Sequence, residues 1–465
     1  METTKKVIQT VINHILLHVK PHWDEIVAVW LLQTFGLERY PGIGTAKKRY
    51  TKGVEPKSDK IFDMLKMLPV GCGQGRFDEH RPGLKDAQGE STDRIPGECA
   101  TTLVAKDLGL MEMSVVKRIA EEALRCDTEA GVGITEMPNV VKAMHRRLED
   151  GNETVLEWAT KGLRATSATL EFNFAKVAGE KTLQGIFNEL DKDERFPDQR
   201  SRNSLASMVG KSQSKLDKSE KESTPAPILE LAFVVSALQR TDIVPTNDII
   251  DWVMFPLAHL YNDQTEFWAA VDEAKTPHIG RVAERLNNLQ GGKEKEGVKV
   301  LIIHSDNQLV AKASRVKEVG ADVTIVRDST GRIYVTVDSH TELSLGNYVR
   351  MIRWYELPKD GNGKPVNDVS WADLGVEGAH PLVPHIYFFK NSIINGGPTH
   401  PDVAPVGVAS QTLLNIARAA FSKRHTILWM KEHGIFKVNK PLNNVGEAVE
   451  SAKETSATEE NPPTE

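Results

Sequence analysis

Residues 11–36 read VINHILLHVKPHWDEIVAVWLLQTFG, and this stretch decides the fold. The run VINHILLHV, 11–19, is apolar without helical spacing and predicts a buried strand. Lys20-Pro21-His22 breaks it, because proline has no N–H for a sheet ladder. From Asp24 the pattern EIVAVWLLQTFG is that of a helix, and Gly36 closes it with the usual C-terminal glycine. A buried strand that passes through a short turn into an apolar helix opens an α/β layered domain.

Outward from there, a glycine-rich stretch at 71–77 leads into Asp78-Glu79-His80-Arg81. Helical patterns follow at 98–108, 114–125, 140–149 and 153–163. The composition then turns polar, with DKDERFPDQRSRNS and GKSQSKLDKSEKESTPAP between 190 and 227. So few apolar groups predict a flexible linker or loop at 191–227. A helical connector is expected over 228–297. KVLIIHS, a helical 307–320, and ADVTIVRD then predict a strand–helix–strand unit, with GRIYVTVD and IYFF as further strands and 407–421 as a closing helix. The expected plan is therefore a metal-binding catalytic domain at 1–190, the linker, the connector, a C-terminal α/β substrate-binding domain at 298–438, and a disordered acidic tail at 439–465.

The 465 residues suit two domains with linkers. The net charge of −6 argues against a protein that coats nucleic acid electrostatically, but leaves room for a local basic cleft. Cys72, Cys99 and Cys126 show no metal-ligand spacing and, being odd in number, no disulfide framework. This predicts a reducing compartment, and the absence of a signal-peptide pattern or of ~18 consecutive apolar residues predicts a cytoplasmic protein with no membrane partner.

Candidate ligands gather where strands end. His18, His22, Asp24 and Glu25 flank the first turn, and groups on a loop after a strand face the crevice at the carboxyl edge of an open α/β sheet. Imidazole with carboxylate suits Mn²⁺, Fe²⁺, Co²⁺ or Zn²⁺, and with added water Mg²⁺. The plainer alternative makes Asp24 a helix cap and His18 a satisfied core histidine. Asp78, Glu79, His80 and Arg81 could deliver ligands and a phosphate-facing cation together, or form only a solvated charged turn. Asp127, at the end of the helix after Gly109, is a single carboxylate of the kind that is usually structural.

Taken in order, these clusters resemble the DHH phosphoesterase superfamily, and within it the melanocyte-proliferating-gene family of metal-dependent exonucleases. His18-x-x-x-His22-x-Asp24-Glu25 matches the opening of that family. Residues 75–81, GRFDEHR, resemble its aromatic-DHH segment, and Glu98-Cys99-Ala100-Thr101-Thr102-Leu103-Val104 its small-residue helix. Asn395-Gly396-Gly397-Pro398-Thr399 is similar to its late glycine-pair loop. The chain departs from the pattern twice. Glu79 stands where the superfamily has a metal-binding histidine, and no second-motif aspartate is evident, since Leu68-Pro69-Val70-Gly71-Cys72 lies near its place and Asp63 comes too early.

The resemblance implies a two-domain DHH-like α/β phosphoesterase with Mn²⁺ or Mg²⁺ as cofactor. It implies His18, His22, Asp24, Glu79 and Asp127 as metal ligands, Asp78 and His80 as catalytic residues, and Arg81, Gly396 and Gly397 as substrate contacts. The expected partner is a short nucleic acid, most simply RNA, or a nucleotide, with homodimerisation left open. Hydrolysis of pyrophosphate or a cyclic dinucleotide, and a degenerate binder without turnover, are the alternatives.

Overall fold

The computed structural model describes residues 10–435 except 53–56, 86–90, 130–131, 193–194, 277–283, 289–294, 342, 362–364, 366–368, 390–391 and 396–402. Gly396, Gly397 and the acidic tail therefore lie outside the described residues. The chain divides into two compact units, Met1–Ala269 and Ala270–Glu465. No helix among the described residues is long and apolar enough to cross a membrane.

The first unit is built on the opening stretch. β1 (His14–His18) is the central strand of a three-stranded sheet, between β2 (Lys47–Thr51) and β3 (Met67–Pro69), and both neighbours run parallel to it. A parallel strand is buried on both faces, which is why Ile15, Leu16 and Leu17 are all apolar rather than alternating. α1 (Trp23–Phe35) follows, and its residues 23–32 are all buried. It packs against α3 (Ala100–Asp107), α4 (Ser114–Thr128) and α6 (Asn152–Phe172), so it has no solvent face to pattern. Before these come the short α2 (Asp59–Met64) and an antiparallel pair, β4 (His80–Lys85) and β5 (Ser91–Arg94); α5 (Met137–Arg147) comes between α4 and α6.

The expected linker at 191–227 is not a loop. α7 (Leu183–Lys192) ends within it, and the 24-residue α8 (Gln199–Glu222) fills most of it. Leu205, Val209, Ser212 and Leu216 recur at helical spacing on one face and are buried. Asp198 caps the helix, its carboxylate accepting from the Ser201 N–H at 2.7 Å. Composition hid this helix because a narrow stripe of three aliphatic residues is enough to anchor it. The connector expected over 228–297 also divides differently. α9 (Leu231–Thr241) packs on α6, and Trp252, from the first part of α10 (Ile249–Lys275), stacks on Trp158 with ring centroids 4.4 Å apart, so this region is core of the first unit up to Ala269. Its end is a strand rather than helix, β6 (Glu284–Asn288).

The second unit carries seven strands. β7 (Lys295–His304), β8 (Val323–Arg327), β9 (Ile333–Val337), β10 (Gly378–His380), β11 (Val383–Phe389) and β12 (Ser392–Ile394) join β6 in the order β10-β11-β12-β9-β8-β7-β6. Only β7 and β8 are parallel. Their crossover, expected to be helical throughout 307–320, contains a single turn, α11 (Val310–Ala313). α12 (Gly346–Glu356), α13 (Ser410–Ala420) and α14 (Lys423–Glu432) complete this unit, whose buried Arg353 donates to the carbonyls of Leu374, Val376, Gly378 and Ile386.

Candidate metal centre

Because β1 and β3 are parallel neighbours, the loops that follow them leave the same sheet edge. After β1, Lys20 takes a positive φ of 63° and its N–H donates to Asn152 Oδ1 at 2.7 Å, which turns the chain into α1. Glu25 clasps the turn. Its Oε1 accepts from the His18 N–H at 3.2 Å and faces His18 Nδ1 at 3.2 Å, while Oε2 accepts from the His22 N–H at 2.8 Å. This is the reach of a third-position glutamate back to the helix start. The Glu25 hydrogen bond raises the pKa of His18, against the opposing effect of burial.

Asp24 points the other way, into the protein. It is 4% exposed, and its Oδ2 accepts from the Ala100 N–H at the start of α3 at 3.3 Å. Thr101 Oγ1 donates to the Asp24 carbonyl at 2.6 Å. The small-residue segment 98–104 thus lets a helix N-terminus come close to the carboxylate, where its dipole favours negative charge. Burial still dominates: together with the carboxylates of Glu25 and Glu79 it pushes the Asp24 pKa up to about 8.

After β3 the glycine-rich loop folds back on itself. Gly71 has φ +65°, and a Cβ there would lie 2.7 Å from Glu25 Cγ, so only glycine lets the two loops meet. Asp78 closes the loop, accepting from the Gln74 N–H at 2.6 Å and the His80 N–H at 2.9 Å. Burial opposes its charge, but these bonds and the His80 ring hold its carboxyl below the usual range. His80 Nδ1 is 3.3 Å from Asp78, the side chain is half-exposed, and the Asp78 hydrogen bond raises its pKa. Arg81 donates to the Gly75 carbonyl at 2.7 Å and so braces the loop. Asp63 pairs with Arg76 at 2.9 Å, and the end of β3 presents Pro69 rather than a carboxylate.

Two groupings of ligand type result. One donor atom each from His22, Asp24 and Asp127 lies within 4.8 Å of the others, and Asp78, Glu79 and His80 form the second set. His18 is in neither set; its Nδ1 is turned to Glu25, the arrangement in which a carboxylate orients an imidazole and leaves Nε2 as the second face. The sequence reading missed Arg94, on β5, whose guanidinium contacts Glu79 Oε1 at 3.0 Å and also pairs with Asp127 Oδ2. A single cation in a polar strand gives no signal that it will meet two distant carboxylates. Burial raises the pKa of Glu79, and its Oε2 is buried with no hydrogen-bond partner among the described residues.

Charge balance shows what the site can accept. Asp24, Glu25, Asp78 and Glu79 are buried carboxylates, yet one arginine reaches two of the acids here. Buried charge that is not paired is strongly unfavourable. A hard cation would relieve both the raised pKa of Asp24 and the orphaned oxygen of Glu79, and oxygen with imidazole is a donor set that Mn²⁺ or Mg²⁺ accepts. Comparison with protein-family models, with curated proteins and with solved structures finds no match for this chain.

Proposed function

We propose that this chain is a divalent-metal-dependent hydrolase of phosphodiester bonds, resembling the DHH phosphoesterases and acting on short RNA or another oligonucleotide. The observation that carries the reading is the convergence of His22, Asp24 and Asp127 within 4.8 Å, beside a second set that includes an unpartnered buried oxygen on Glu79. His22, Asp24 and Asp127 would hold one Mn²⁺ or Mg²⁺. When bound, such an ion supplies Lewis-acid activation of water and neutralises charge on phosphoryl oxygens.

The chain's own groups supply the rest. Asp78 is held by two backbone N–H groups and keeps His80 in place. His80, with Nδ1 toward Asp78 and a raised pKa, presents Nε2 as a proton donor to the leaving oxygen. Arg94 fixes Glu79 and Asp127 side by side and supplies a permanent positive charge between the two sets. Pro69, at the end of β3, favours one firmly held ion over a bridged pair, and the same feature supports a second reading in which the chain binds metal and nucleotide without turnover.

One experiment separates these readings. Purified protein is incubated with Mn²⁺ or with EDTA and offered labelled oligoribonucleotides, pyrophosphate and a cyclic dinucleotide. Mn²⁺-dependent release of mononucleotides is the expected result. Turnover of the small compounds alone would reassign the substrate, and metal binding with no turnover would leave the non-catalytic reading.

A further inference from the structure

The first unit contains a second concave site that the metal centre does not use. It is an open groove of about 640 Å³, inside the range of ligand sites. One wall is the face of α8 opposite its buried stripe, where Arg200, Ser204, Ser207, Lys211 and Lys215 recur at helical spacing. Trp268 of α10 forms the other wall, and the backbone at 133–135 forms one end. Three cations line the groove and no carboxylate does, in a chain of net charge −6.

The three cations differ in what they are free to do. Lys215 is held by Glu230, with Glu136 also 3.6 Å away, so it is an anchored part of the wall. Arg200 lies flat over the Trp268 ring, its guanidinium carbon 3.7 Å from the centroid. The indole N–H donates to Ser204 Oγ at 2.9 Å, which fixes the plane of the ring. Guanidinium and indole together make a rigid plate of the kind on which nucleobases stack. Lys211, farther along the same face, completes the electrostatic side. Between plate and lysine stand the hydroxyls of Ser204 and Ser207, with the spacing and chemistry to meet a sugar.

We propose that this groove binds a phosphate-bearing nucleotide unit, its base on the Arg200–Trp268 plate and its phosphate at Lys211. The wall at 133–135 is tied to the helix that carries Asp127: Arg125 donates to Glu136 Oε2 at 2.6 Å, and Glu136 Oε1 accepts from the Gly133 N–H at 3.0 Å. The unit bound is one from a single strand whose other end reaches the metal centre. Only this extension from nucleotide to strand rests on the phosphodiesterase reading.

The test is fluorescence anisotropy with a labelled hexaribonucleotide in EDTA, so that binding does not depend on metal. The wild-type protein binds the strand. The double variant Arg200→Glu, Lys211→Glu weakens binding at least about tenfold, and the slope of log K against log salt falls by about 1.4 for two lost contacts. Trp268→Leu weakens binding about fivefold or more without changing the slope, because it removes stacking and not charge. Lys211→Gln serves as the milder variant, and each protein must keep the wild-type melting temperature and Mn²⁺ response. Competition with AMP identifies the source of the ligand: displacement only at concentrations far above those of unlabelled hexamer supports a strand, and equal potency supports a free nucleotide in the same groove. Equal affinity in wild type and all groove variants, or no binding by the wild type, would overturn the proposal. Failure of the metal-centre reading looks different, as a missing Mn²⁺ response in a protein that still binds the hexamer.

Discussion

The metal crevice and the α8 groove lie in the same unit and are opposite in chemistry. The crevice holds buried carboxylates and takes most of their restraint from backbone N–H groups, as at Asp78 with Gln74 and His80. The groove presents side-chain cations on a helix face, and its polarity comes from long, mobile stems. The difference lies in where the compensating charge comes from. Buried acids fixed by main chain cannot move apart, so the crevice needs a counter-ion and its response to substitution is steep. Exposed cations are solvated and screened, so the groove responds in graded, salt-dependent steps.

The largest effect that would sharpen this contrast is at Asp24. Asp24→Ala should abolish the rise in melting temperature with Mn²⁺, because a ligand that binds only the folded state stabilises it in proportion to its occupancy. A thermal melt with and without Mn²⁺ checks this, and an undiminished shift in the variant would remove Asp24 from the ligand set.

Next is Gly71, which tests whether the crevice depends on main-chain fit. Gly71→Ala puts a Cβ against Glu25 in a backbone conformation at φ +65°. A loss of about 1–3 kcal/mol in urea unfolding is expected, accompanied by weaker Mn²⁺ binding. Wild-type stability would mean that the two loops can part without consequence.

Arg94 tests the charge balance itself. Arg94→Met frees the carboxylates of Glu79 and Asp127, so the protein should bind a second equivalent of Mn²⁺ while its phosphodiesterase rate falls. Titration calorimetry gives the stoichiometry, and one equivalent in both proteins would show that the guanidinium does not stand in for an ion.

The smallest effect is at Glu79. If its unpartnered oxygen faces the ion, Glu79→His should keep binding and move preference a few-fold toward Zn²⁺ or Co²⁺, where imidazole is the better donor. Glu79→Gln should weaken Mn²⁺ binding, since a neutral amide is a poorer ligand. Wild-type affinities in both variants would place Glu79 outside the ligand set and leave it as the partner of Arg94 alone.

Much of the crevice was legible in the sequence because its parts are local. His22, Asp24 and Glu25 sit on one strand–turn–helix, and the spacing of Glu25 from His22 is that of a helix-start clasp. Asp78, Glu79 and His80 are consecutive, and the glycines before them announce a loop with special backbone. Arg81 shows the limit of such reading: its charge suggested a phosphate contact, whereas the chain uses it on the Gly75 carbonyl. Polarity at 191–227 misled in the same way. Average composition described a linker, while the three aliphatic residues of α8 on one stripe were enough to bury it.

The sequence by itself determined the β1–α1 unit, the loop glycines and the clusters of ligand-type residues, because strand period, helix period and turn chemistry act within a few residues. Only the tertiary structure decided that Arg94 meets both Glu79 and Asp127, that Ala100 donates to Asp24, and that Arg200 lies on Trp268. Those contacts join residues far apart in the chain, and they form only when burial of the shared core brings their elements together. No local pattern carries that information, since each partner is ordinary in its own segment and acquires its role from the other.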